Sequence, residues 1–319
     1  MAELYGCDKG VILKYAKEVG YKNELVGVLT DEQKEEIIEL YASKTSRELA
    51  DKYGVSRGQI TKVWYDNSLT GKDRHKYPFD YNYFESIDNA DKAYFLGLLA
   101  SDGSVFKRDG GDNSQAITRI SLQKQDKNIL EVFKLYLDSE QPLYIMETHN
   151  NSYINYFYTL ELVSDKLASD LCKYNIIQNK TYSYSMVELR KELMSHYFRG
   201  YFDGDGSISC TNKKFHTPSA YNISISGFAH NLSKLKAYLL ENENINSVIV
   251  IDKRNENLPF GQLVFADIEN KYKFIEYIYK DRGDIFLPRK RYLAECFINA
   301  INNNFSNKQN LYNNISMPS

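Results

Sequence analysis

The stretches YFLGLLASDGS (94–104) and YFRGYFDGDGS (197–207) decide how this chain is read. They lie 103 residues apart, and Tyr94/Tyr197, Phe95/Phe198, Gly97/Gly200, Asp102/Asp205, Gly103/Gly206 and Ser104/Ser207 coincide. Self-similarity at a fixed offset indicates one structural unit used twice. Each stretch predicts a helix running from the Tyr-Phe start to the Asp-Gly end, where the glycine is expected to stop it. Gly97 and Ser101 are four residues apart, as are Gly200 and Gly204, so each helix carries a strip of small residues on one face. Two such strips let two backbones approach closely, and parallel packing brings Asp102 and Asp205 together at the helix ends. Carboxylates there repel each other directly and through the helix dipoles. A divalent cation with hard oxygen ligands relieves this; Mg²⁺, or another such cation as Mn²⁺, fits a site of few carboxylates completed by water and phosphate oxygens.

Beyond each motif the pattern changes to period two. At the same offset RISLQKQDKN (119–128) falls on NISISGFAHN (222–231), with Ile120 and Leu122 on Ile223 and Ile225. Arg119, Ser121 and Gln123, and Asn222, Ser224 and Ser226, then form polar faces of strands whose other face is buried. Further strands are expected at 142–147, 153–162, 247–252 and 261–268, and helices near 126–138, 164–175, 231–241 and 269–279. The expected fold is α+β: two α-β-β-α-β-β-α halves, 84–195 and 196–298, related by a pseudo-twofold axis and forming a saddle with an outward polar sheet face.

A smaller repeat lies near the start, where ADKYGVSRGQITK (50–62) matches AELYGCDKGVILK (2–14) with Ala50, Gly54 and Ile60 on Ala2, Gly6 and Ile12. A small residue where helices touch, a glycine for a positive-φ turn and an apolar anchor are what a helix-turn-helix requires. DEQKEEIIELYAS (31–43) supplies a preceding amphipathic helix, and Ser56 is the expected N-cap of a recognition helix presenting Arg57, Gln59 and Lys62 to phosphates and base edges. The first copy lacks an upstream helix and is read as truncated. Residues 1–68 are thus an all-α helix-turn-helix region. LTGKDRHKYPFDYN, with Lys72, Arg74, His75 and Lys76, reads as a linker over 69–83. The Asn-rich stretch 299–319 is expected to be a polar tail, frayed beyond a last helix.

Composition narrows the function classes. The 319 residues are 43% hydrophobic and 26% charged, as in globular proteins, and no run approaches the ~18 apolar residues of a membrane span. Four dispersed cysteines (Cys7, Cys172, Cys210, Cys296) without C-x-x-C argue against a zinc ribbon or disulfide framework. The five histidines show no metal-ligand spacing. Forty Lys and Arg against 42 Asp and Glu give a formal net charge of −2, so a nucleic-acid surface requires local segregation of charge. The start shows no secretory pattern, and an intracellular protein is expected.

FLGLLASDG (95–103) and FRGYFDGDG (198–206) resemble the nine-residue motif of the LAGLIDADG homing endonucleases, and the resemblance extends over about 84–298, as in the family's single-chain members. It implies a monomeric, metal-dependent, site-specific endonuclease that hydrolyses both strands of double-stranded DNA at a long pseudo-palindromic site, with the saddle strands in the major groove. Asp102 and Asp205, with Ser101 and Gly204 before them, are the implied metal residues. Lys180 in IIQNKTYS and Lys290 in FLPRKRYL are the implied catalytic lysines near the scissile phosphates, and Gln123 is a candidate to order water or read adenine. Ala100 and Ser101 depart from the motif where it carries its first acid and a small alanine. A chain ending in MPS lacks the His-Asn end of an intein, so a free-standing or intron-encoded enzyme is expected, in the cytoplasm of a bacterial or phage-infected cell or in an organelle. The second reading is a nucleic-acid-binding protein without cleavage, an intron maturase with intron RNA as partner, or a transcriptional regulator.

Overall fold

The motif helices and their flanking strands order the larger part of a computed structural model that describes residues 29–41, 44–67, 69, 77–107, 114–150, 153–211, 217–252, 259–281, 283 and 285–315. The chain divides into two compact units, Met1–Pro78 and Phe79–Ser319, each with its own buried apolar cluster.

Among the described residues of the N-terminal unit three short helices follow one another: α1 (Asp31–Glu39), α2 (Ser46–Tyr53) and α3 (Arg57–Asp66). Each begins with a capping box, formed by Thr30 with Gln33, Thr45 with Glu48, and Ser56 with Gln59. Helix α2 ends at Gly54, whose φ of 62° is the left-handed conformation that a Cβ disfavours. Ala50 and Ile60 are buried with Ile37, Leu49, Val63 and Trp64, and the Trp64 indole N–H donates to the Ile37 carbonyl at 3.2 Å. The first copy of the small repeat (2–14) and the basic residues at 72–76 lie outside the described residues. The expected linker over 69–83 ends sooner, because Phe79 and Tyr83 are buried in the C-terminal core; their aromatic area outweighs the basic and proline signals around them.

The C-terminal unit repeats one order twice. Helix α4 (Ala90–Asp102), strands β1 (Gly103–Lys107) and β2 (Ala116–Gln123), helix α5 (Lys127–Tyr136), strands β3 (Tyr144–Asn150) and β4 (Tyr153–Val163), and helix α6 (Asp165–Cys172) form the first half. Helix α7 (Lys191–Asp205), β5 (Gly206–Cys210), β6 (Tyr221–Phe228), α8 (Ala229–Glu243), β7 (Val248–Ile251), β8 (Phe260–Val264) and α9 (Ile268–Tyr279) form the second. Each half holds a four-stranded antiparallel sheet, ordered β1-β2-β4-β3 and β5-β6-β8-β7. This is the expected α+β architecture. A last helix, α10 (Pro288–Ile315), takes in most of the stretch expected to be frayed; 299–315 contains no proline or glycine to stop it.

Helices α4 and α7 pack directly on each other. A Cβ at Gly97 would land on the Tyr197 carbonyl oxygen, and one at Gly200 on the Tyr94 carbonyl oxygen. One at Gly204 would land on the Ser101 side chain. Both small-residue strips therefore lie in one interface, in parallel register. The glycines end the motif helices as expected, Gly103 after Asp102 and Gly206 after Asp205. Gly103 and Gly206 are extended (φ −79° and −81°), not left-handed; they are required for space, since a Cβ would meet the Leu99 carbonyl oxygen or the Phe202 ring.

The close crossing makes a stability prediction. Gly200→Ala should cost about 3 kcal/mol by forcing a methyl onto backbone that cannot move aside. Gly227→Ala, whose nearest contact would be Leu232 Cδ2 at 3.3 Å, should change stability by less than about 1 kcal/mol. Urea midpoints compare the two, and equal midpoints for Gly200→Ala and wild type would exclude a backbone crossing there.

Candidate active site and sheet faces

The parallel crossing sets Asp102 and Asp205, the last residues of α4 and α7, beside each other. Asp102 stays open to solvent and Asp205 is partly buried. Crowding by protein raises the Asp102 carboxyl to about 6, and the Asp205 charge adds to the rise while Lys290, Lys180 and Arg289 oppose it. Burial also raises Asp205, against Lys180, Lys290 and a hydrogen bond from Tyr201.

Two buried lysines close the ends of the same helices. Lys180 Nζ donates to the carbonyls of Ala100 and Ser101 at 2.7 and 2.8 Å. Lys290 Nζ donates to those of Phe202, Asp203 and Gly206 at 2.6, 2.7 and 2.6 Å, and more weakly to Gly204 at 3.3 Å. An ammonium at a helix C-terminus satisfies carbonyls left without an intrahelical partner and complements the dipole. Burial lowers both lysines to about 8, opposed chiefly by Asp205 for Lys180 and by Asp203 for Lys290. The backbone oxygens of Ser101 and Gly204, the two further residues implied at a metal, accept hydrogen bonds from these lysines.

Among the described residues no group of three or more His, Cys, Asp or Glu surrounds a common point. Two adjacent carboxylates whose shared charge is costly are nonetheless a fitting donor pair for one hard cation with an otherwise open shell. Beside Asp205 lies a cleft of about 110 Å³ lined by Ser101, Lys180, Tyr184, Tyr201, Asn231 and their neighbours. Tyr201 accepts from Asn231 Nδ2 at 2.9 Å, and Asn231 Oδ1 accepts from the Met186 N–H at 2.7 Å. Sequence reading missed Tyr201 and Asn231. Tyr201 sits within the motif but its first-half counterpart is Leu98, so the repeat gave no signal for it.

The strand residues expected at a polar face occupy one, with differing freedom. Arg119 is engaged by Glu161, Nε to Oε1 at 2.7 Å, and its guanidinium lies 4.5 Å from the Phe106 ring centroid. Ser121 is hydrogen-bonded to Thr159 at 2.8 Å, and Gln123 accepts from Gln125 at the same distance. Asn222 is exposed, Ser226 is partly so, and Ser224 is buried at 8% exposure. In the N-terminal unit Arg57 and Lys62 are exposed. Gln59, expected to face DNA, instead takes the Ser56 N–H on its side-chain oxygen at 3.0 Å, because its place at N3 after a serine favours the cap. No described helix is long and apolar enough to cross a membrane.

Residues 192–279 match the family model of the LAGLIDADG-like domain. The DNA-directed RNA polymerase subunit Rpo1C of Methanocaldococcus jannaschii is 24% identical over 195 residues, 61% of this chain and 21% of that protein. The chain matches about a fifth of that relative's length. Similar solved structures include the meganuclease I-SmaMI bound to uncleavable DNA, at 17% identity and TM-score 0.44 over 70% of this chain and 92% of that one. The homing endonuclease I-WcaI bound to its DNA recognition sequence is similar at 14% identity and TM-score 0.42, over 67% and 90%. I-DmoI in complex with DNA and Ca is similar at 14% and 0.43, over 68% and 99%.

The lysines yield a graded prediction. Lys290→Met removes the partner of four carbonyls and should destabilise the metal-free protein by about 2–4 kcal/mol. Lys180→Met orphans two and should cost less. Denaturant titrations rank them, and wild-type stability for Lys290→Met would deny the lysine its capping role.

Proposed function

We propose that this chain, whose second motif half is a LAGLIDADG-like domain, is a metal-dependent endonuclease for double-stranded DNA, hydrolysing phosphodiester bonds in both strands of a long pseudo-palindromic site. The observation that carries the proposal is the pair Asp102 and Asp205, held side by side by a backbone crossing between two matching sheets, with a buried ammonium behind each. One chain supplies both acids and both sheets, so the active species is a monomer working inside a cell. Asp102 and Asp205 would hold Mg²⁺ or Mn²⁺, which when bound supplies Lewis-acid polarisation of the phosphate and a more acidic water. Lys180 and Lys290 would lend positive charge to the developing negative charge on the phosphate. The outward faces of the sheets, including Gln123 and Asn222, would contact base edges.

A second reading, a nucleic-acid-binding protein without cleavage that serves as an intron maturase on RNA or as a regulator, draws on the same lysines. Their charges ease the acid pair without a metal, so the pair can persist where no cutting occurs.

Cleavage of a plasmid library with and without Mg²⁺ separates the readings. Asp102→Asn and Asp205→Asn should each lower double-strand cleavage by more than about 10³-fold and leave DNA binding equal or tighter, since one repelling charge is gone. A carboxyl raised to about 6 in the metal-free protein is protonated below that pH and competes with the cation, so the Mg²⁺ concentration needed for half-maximal cleavage should rise as pH falls through about 6. Wild-type cleavage by either variant would take these residues out of the site.

The N-terminal helices would extend the footprint on one side of the site, with Arg57 and Lys62 on phosphates. Joint replacement of both by alanine should shallow the slope of log K against log salt by up to about 2 and leave the cleavage rate at saturating protein unchanged. An unaltered slope would assign the unit another role.

A further inference from the structure

Among the described residues, the four strands of the second sheet carry no acid, amine, guanidinium or imidazole. Its strands are GSISC, YNISISGF, VIVI and FGQLV. Cross-strand register sorts the face turned away from the helices into rows: Ser226, Gln262 and Val250 are directly paired, Val264 pairs with both Ser224 and Val248, and Phe228 pairs with Phe260. On that face Asn222 and Gln262 are exposed, and so are Val248 at 50%, Val250 at 55% and Phe260 at 42%. Exposed amides alternate with exposed apolar side chains, an arrangement that neither a core nor a plain solvated surface explains.

The major groove gives each of these side-chain types a different counterpart. An Asn or Gln amide pairs with adenine N6 and N7, apolar groups pack on the thymine methyl, and guanine O6 and N7 call for Arg or Lys. Among the described residues, the strands offer the first two on this face and none of the third. The first sheet contrasts with it, because it does place an arginine on its polar face, and Glu161 occupies that Arg119 guanidinium.

We infer that strands β5 to β8 read an A·T-rich half-site, with Gln262 and Asn222 on adenines and Val248, Val250 and Phe260 on thymine methyls. The inference rests on the proposal that this sheet face enters DNA. Discrimination then comes from neutral contacts, and affinity from charges lying off these strands.

Selection of a randomised duplex pool by the full-length protein in EDTA, which keeps the DNA intact, tests the inference. The bound pool should contain a block of A·T pairs on one side of the site. Gln262→Ala should flatten the preference at one position of that block by on the order of tenfold, and Gln262→Arg should move the same position toward guanine. Circular dichroism should be unchanged in both variants, since Gln262 is exposed. Guanine or cytosine at the position that responds to Gln262, or a selected site identical in all three proteins, overturns the inference while leaving DNA binding intact. Recovery of no duplex above background, or of duplexes without any shared sequence, overturns the DNA reading itself and the inference with it.

Discussion

Everything in the C-terminal unit hangs on the contact between the backbones of α4 and α7. Gly97 lies against the Tyr197 carbonyl and Gly200 against that of Tyr94, with no room for a methyl at either. Because the contact is backbone to backbone, side-chain repacking cannot shift it. Each helix passes directly into a strand, Asp102 into Gly103 and Asp205 into Gly206. The crossing therefore fixes the acids relative to each other, and both sheets relative to the acids. A reactive pair placed at rigid element ends keeps its geometry without help from loops.

The crossing also creates an electrostatic problem and the structure supplies part of the answer. Two carboxylates meet where two helix dipoles already concentrate negative charge. Lys180 and Lys290 reach these ends from segments outside the motifs and donate to the terminal carbonyls. Burial raises the carboxyls and lowers the ammoniums, and the attraction between acids and lysines opposes both shifts. The two lysines offset the charge of the two acids, so paired acids alone do not require a metal.

The motif repeat made the helices, both acids and the order of strands legible, because each rests on local periodicity or on identity at one offset. Gly97 and Gly200 could be placed in an interface since a strip of small residues has few other uses in a buried helix. What stayed hidden depends on distant pairing. Arg289 forms a two-oxygen ion pair with Asp126, 163 residues away, and no local pattern marks it. Arg119 reads as a free basic residue until strand pairing sets Glu161 opposite it. Gln59 carries both a DNA-contact residue type and a capping position, and the cap took precedence. Phe79 and Tyr83 sit among linker-like residues, yet their burial depends on a core supplied by the rest of the unit.

The two halves differ inside the motif helices while agreeing at their ends. In α7, Asp203 accepts from the Tyr94 hydroxyl at 2.7 Å and from the Leu287 N–H at 2.9 Å. Arg199 donates to the carbonyls of Ile285 and Ile278. The corresponding positions of α4 are Ala100 and Leu96, both buried and apolar. Burying an acid and an arginine is costly unless each is hydrogen-bonded; Leu287 and Ile285 supply partners from the segment that leads into α10, and Tyr94 of α4 and Ile278 of α9 supply the others. Polar residues in α7 thus anchor the chain as it turns toward Lys290, whereas Lys180 reaches α4 without such a network. The glycines, acids and lysines form a symmetric set that the junction itself requires. The asymmetric network arises from a different need, that of holding the segment between α9 and α10 against α7, while Arg289 of α10 pairs with Asp126 of the first half.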